Sequence, residues 1–246
     1  MSHPTAATTT PAPAEKTPLW EDFIDILFSP ASVFRRRERG SWFIPMLIVT
    51  LAIAVIAFAS RGVMQPVFDA EFEKVADQLR QNPQVTEEMI ERSRSWMQAT
   101  TMLGSLVIFP ITIFVIGFMT WIIGKLFDSK QELQAAMMVA GYSQVPRVVQ
   151  GIVNAVQGLV LKPEQLSSLV KLSFSPARFM DPATTSPVVL QLVNRLDLFT
   201  IWVTILLAIG LYITGRVSKS NAAIAGVLFW LVGSIPAILS ALRQAR

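Results

Sequence analysis

Hydrophobic positions in this chain gather into long runs divided by polar stretches. Runs within residues 41–60, 97–126, 198–215 and 221–242 are apolar on every helical face, and a fifth, 135–161, is apolar on all faces but one. A helix of about 20 apolar residues crosses a hydrocarbon core, so each run predicts a span. The polar face of the third span carries Ser143, Arg147, Gln150, Asn154 and Gln157 at steps of four, three, four and three. That spacing aligns all five on one side of a helix. Hydrocarbon penalises such a side, so neighbouring helices or a wet cavity are expected to cover it. Pro146 deprives the Tyr142 carbonyl of its usual helical partner, and Arg147 stands beside that defect. No other predicted span holds an Asp, Glu, Lys or Arg well inside it, so Arg147 is expected to lack a buried carboxylate partner. Two readings stay open: a structural polar strip, or a surface for a ligand or a lipid headgroup.

The segments between the runs have their own patterns. Residues 1–18 are rich in Ala, Thr and Pro and are expected to be disordered. They contain no apolar core of a secretory signal. Over 19–40, Trp20, Phe23, Ile24, Leu27 and Phe28 recur at helical spacing, Ser29-Pro30 ends that helix and starts another turn, and Arg35, Arg36, Arg37 and Arg39 follow. This reads as an amphipathic interfacial region whose arginines contact anionic lipid and hold the N-terminus in the cytoplasm. Residues 61–96 predict an external helical hairpin: Phe68, Phe72, Val75 and Leu79 form one stripe, Asn82-Pro83 breaks it, and Thr86 caps a second helix. A solvated connector is the plain reading, and a binding cap the sharper one. Residues 162–197 are punctuated by three X-Pro pairs, with short helices expected after Pro163 and Pro187. Arg243 and Arg246, beyond the fifth span, run against the positive-inside rule; a fifth segment that only dips into the membrane would remove the conflict.

Composition sharpens this picture. The chain of 246 residues is 52% hydrophobic and 15% charged, with a mean hydropathy of +0.49. The fold class expected is all-α: a polytopic membrane bundle of about five spans filling 41–246, with an interfacial N-terminal helix and two external helical excursions. The formal charge is +4, but much of it lies beside predicted spans, where it sets orientation and meets lipid rather than nucleic acid. The absence of Cys excludes disulfides and thiolate chemistry. The one histidine, His3, lies in the N-terminal tail, which argues against a His-based hydrolase or His-ligated metal inside the membrane. Paired intramembrane aspartates and an intramembrane lysine are also missing. No enzymatic activity, cofactor or metal is expected.

Three stretches carry a resemblance: FIDILFSPASVFRRRERGSWFIP leading into the first span, AGYSQVPRVV in the third, and LDLFTIWVTILLAIGLYITG from Leu196 to Gly215. Their order and spacing resemble the Yip (Ypt-interacting protein) family in its bacterial form. The resemblance implies a helical membrane bundle with a cytoplasmic N-terminal region, placed in the cell (inner) membrane. It implies no catalytic motif. Eukaryotic members associate with small GTPases, a partner not carried over here. The expected role is a non-enzymatic scaffold or interaction protein, in contact with the bilayer and with another membrane protein or a second copy. The alternative is a small transporter or lipid-binding protein that uses the face around Arg147.

Overall fold

The computed structural model describes residues 17–162, 165–166, 168–181 and 184–244, without the side chains of 101–103, 105, 243 and 244. The expectation of disorder over 1–18 falls almost wholly outside these residues, as do the side chains of Arg243 and Arg246. Among the described residues every element is a helix. Four helices are long and apolar enough to cross a membrane: Phe43–Ser60, Leu106–Lys125, Leu198–Gly215 and Lys219–Leu242. The protein is an all-helical, multi-pass membrane bundle.

Two short helices, α1 (Leu19–Phe28) and α2 (Pro30–Arg37), precede the first span, α3 (Phe43–Ser60). They are joined by Ser29 alone, and Pro30 takes the first position of α2, where its missing N–H costs no hydrogen bond. Ile26, Val33 and Phe34 are fully buried. Trp20, Ile24 and Phe28, on the outer side of α1, stay exposed.

After α3 the chain forms α4 (Gln65–Arg80) and then α5 (Glu87–Lys125). Thr86 caps α5 by accepting from the Met89 amide, and Glu87 and Glu88 complement the helix dipole. At 39 residues α5 is about 58 Å long, roughly twice a hydrocarbon core. Its first half therefore stands outside, where Phe72, Ala76 and Ile90 bury a small core between it and α4. Arg80 meets Glu73, Asp77 and Glu87 on the rim, and Arg94 pairs with Asp69. Such exposed pairs contribute little each, so the apolar cluster holds the hairpin together.

The third predicted span is not one helix. It divides at Gln144 into α6 (Leu133–Ser143) and α7 (Val145–Val160). Pro146 lies in the first turn of α7, where no intrahelical bond is lost, so it begins a helix instead of kinking one. Every residue of α6 from Ala135 to Ser143 is buried, and α3, α5 and α10 (Leu198–Gly215) surround it. This packing relies on small residues. A Cβ on Gly117 would meet Met137 Sδ at 2.5 Å, and one on Gly210 would meet Val139 Cγ1 at 2.2 Å. The organising element is thus α6, the apolar half of the predicted span.

The second excursion supplies α8 (Leu169–Leu172), a 3₁₀ turn at Pro176–Phe179, and α9 (Pro187–Asn194). The last helix, α11 (Lys219–Gln244), runs along α10. Trp230 Nε1 donates to the Arg195 carbonyl at 3.0 Å, and Arg195 Nε donates to Ser234 Oγ at 3.1 Å. Arg195 precedes α10, so α11 follows α10 for its full length. Connections sort onto two ends. At one, Lys130 N donates to the Gly215 carbonyl, Gln134 Nε2 to the Gly40 carbonyl, and Arg216 pairs with Glu38. At the other, Leu169 N donates to Glu71.

Candidate functional site

The polar row of α7 is turned toward protein, while Ile152, Val156, Leu159 and Val160 on its other side are exposed. Its members do not share one neighbour. Ser143 is fully buried at the end of α6, and its Oγ has no hydrogen-bond partner; Gln144 Nε2 is likewise unpartnered. Arg147 donates to Gln150 Oε1 at 2.7 Å and to Thr200 Oγ1 at 3.0 Å. Further out, Gln157 bonds Asn154 at 3.4 Å, donates to the Leu172 carbonyl at 3.1 Å, and accepts from Arg178 at 3.5 Å. The row therefore joins α7 to α10 at one level and to the second excursion at another.

The expectation that Arg147 lacks a carboxylate is corrected. Asp197 Oδ1 lies 3.9 Å from its guanidinium. Asp197 is 4% exposed and caps α10, accepting from Phe199 N at 3.0 Å, Thr200 N at 3.1 Å and Phe174 N at 2.8 Å. It escaped notice because it precedes an apolar run, and run boundaries say nothing about the relative depth of two helices. Replacing it removes a cap and three acceptor contacts at once. Asp197→Ala is expected to lower stability by about 2 kcal/mol in reversible denaturation of the detergent-solubilised protein. A loss no larger than that of an exposed substitution such as Asp77→Ala would show that the cap carries nothing.

A second polar centre was missed. Asp22, on the inner side of α1, is 0% exposed. Its Oδ1 lies 2.6 Å from Arg36 Nε, its Oδ2 lies 2.6 Å from Arg37 Nε, and Tyr142 O–H donates to Oδ2 at 3.1 Å. Arg36 also meets Asp25 at 2.6 Å, and Arg37 donates to the Thr17 carbonyl at 2.7 Å. Two carboxylates thus face two guanidinium groups across the α1–α2 hairpin. Burial opposes the charge of Arg36, but hydrogen bonds to Asp25 and Asp22 outweigh it and raise its pKa. Tyr142 is nine residues beyond the start of α6, about 13 Å along the helix, so α1 is anchored well inside the bundle. Of the four candidate lipid-contacting arginines, Arg36 and Arg37 hold Asp22 with 25% and 24% of their side chains still exposed, and Arg35 and Arg39 are exposed. One sequence signal pointed here: acids three apart and adjacent arginines, on short helices joined by a single residue, must face one another.

Beside the row, a groove of about 780 Å³ opens between α3, α4, α5 and α7. Arg147 and Asn154 line one wall. Among the described residues no group of three or more His, Cys, Asp or Glu is placed to hold a metal.

A family model, the Yip1 domain, matches residues 24–240. No curated protein and no solved structure matches the chain. The matched region runs from the middle of α1 into the last turns of α11 and includes the broken third span, Arg147 and Asp197. Because the match takes in most of the sequence, the chain belongs to the Yip1-domain family of membrane proteins.

Proposed function

We propose that this protein is a non-enzymatic scaffold or interaction protein of a cell (inner) membrane, with its N-terminus in the cytoplasm. One observation carries the reading: the buried ionised side chains are joints between elements, not a shared reaction centre. Asp22 ties α1 to α2 and α6. Asp197 ties the start of α10 to residue 174, with Arg147 of α7 alongside. The arginines from Arg35 to Arg39 support the orientation. Small residues at Gly117, Gly210 and Gly226 pack against other helices of the chain. A surface open to a partner is the α4–α5 hairpin, whose part of α5 outside the span is about 28 Å long.

Photo-crosslinkers placed at Glu88 and Arg92, both exposed on that hairpin, are expected to capture one reproducible membrane-protein partner in native membranes. The same probe at Val55, on the outer side of α3, is expected to capture none. A monomer that yields no adduct from either hairpin position would refute the scaffold role.

A further inference from the structure

The groove between α3, α4, α5 and α7 has a polarity gradient. Its wall on α3 runs from Ile53 through Ile56 and Ala57 to Ser60 and Arg61. The apolar end lies within the span, and Arg61 is the first residue beyond it. Over the mouth, Gln98 Nε2 of α5 donates to Gln65 Oε1 of α4 at 3.3 Å, so the external hairpin forms a roof. Among the described residues no Asp or Glu lines the groove. Asp69, which accepts from Gln65, is neutralised by Arg94.

The two lining arginines are not equivalent. Arg147 closes the inner end, but Gln150, Thr200 and Asp197 engage its guanidinium. Arg61 is exposed, and its guanidinium lies over the Phe58 ring, 4.4 Å from the centroid. Among the described residues no ion pair links it to a carboxylate. A cation at the depth of lipid phosphates, above an apolar wall inside the hydrocarbon, matches one kind of molecule. We propose that the groove holds one anionic phospholipid, its phosphate at Arg61 and an acyl chain along Ile53, Ile56 and Ala57. A free phosphate would share the Arg61 contact but would have no use for the apolar wall. The site is independent of the scaffold role, since lipid retention and partner capture are separate readouts.

The test is native mass spectrometry of the full chain, released from detergent with equal amounts of phosphatidylglycerol and phosphatidylcholine. One phosphatidylglycerol is expected to be retained in preference. Arg61→Ala is expected to weaken its retention about tenfold, the effect of losing one charge-assisted contact, with Arg61→Lys recovering part of it. Ala57→Trp, at an exposed position of the wall, is expected to block retention by filling the groove while leaving the thermal midpoint unchanged. Equal retention of the two lipids, or full phosphatidylglycerol retention in both Arg61→Ala and Ala57→Trp, would overturn the proposal. So would displacement of the lipid by millimolar inorganic phosphate alone, which would mark a site for a soluble anion.

Discussion

Asp22→Asn is expected to destabilise the protein by about 3 kcal/mol, the scale of breaking a buried ion pair by removing one partner. The carboxylate is fully buried, whereas the side chains of Arg36 and Arg37 are 25% and 24% exposed. Its loss leaves one of two guanidinium charges without a partner in a poorly hydrated place. The amide offers Tyr142 a weaker acceptor and turns N–H donors toward the arginines, so hydrogen bonding does not compensate. The disturbance should be local first. Hydrogen exchange over α1 and α2 should accelerate before that over α6, because the hairpin joins the bundle through this contact, the Arg216–Glu38 pair at the end of α2 and the apolar cluster of Ile26, Val33 and Phe34. Asp25→Asn is the control. Asp25 meets Arg36 alone and is 39% exposed, so its loss should cost under about 1 kcal/mol. Equal effects from the two substitutions would mean that burial of Asp22 is not what makes it matter.

Gly210→Ala should reverse the usual sign of a Gly-to-Ala change in a helix. Propensity alone favours Ala by about 1 kcal/mol. At this position, however, the new methyl would lie 2.2 Å from Val139 Cγ1 and 2.8 Å from its Cγ2. Val139 is itself 0% exposed in the core of α6 and has nowhere to turn. The two helices must then separate, with a net loss of about 3 kcal/mol from overpacking. Pairing it with Val139→Ala removes both Cγ atoms and should recover a large part of that loss. Gly62→Ala, where a Cβ meets nothing within 4 Å, should be neutral or slightly stabilising. The comparison requires equilibrium unfolding of the parent protein and these three variants in one detergent. A neutral Gly210→Ala would show that α6 and α10 are not in close contact.

Legibility of the site was uneven. Five polar residues at steps of three and four forecast a face that avoids lipid; α7 turns four of them, Arg147, Gln150, Asn154 and Gln157, toward protein, while Ser143 is buried at the end of α6. The same spacing did not forecast the break at Gln144. A proline in the middle of an apolar run reads equally well as a kink or as the first turn of a new helix, because the choice depends on tertiary packing around it and not on the local pattern. Here Tyr142 points its hydroxyl at Asp22, 120 residues earlier. No local pattern contains that pairing. Arg147 and Asp197 are separated by 50 positions and belong to different runs, so their meeting too is a matter of how two helices are staggered.

Runs of about 20 apolar residues were enough, by themselves, to establish a helical membrane protein, since a backbone in hydrocarbon must satisfy its own hydrogen bonds and length sets what crosses. The helical hairpin outside the membrane, the cap at Thr86 and the absence of thiol chemistry rest on equally local grounds. Tertiary structure alone decided that α6 is the centre, that Arg36 and Arg37 converge on Asp22, and that a graded groove lies beside Arg147. Each depends on the depth and rotation of one helix against another. Those are set by close packing at Gly117 and Gly210 and by the need to pair buried charge, and both act between residues far apart along the chain.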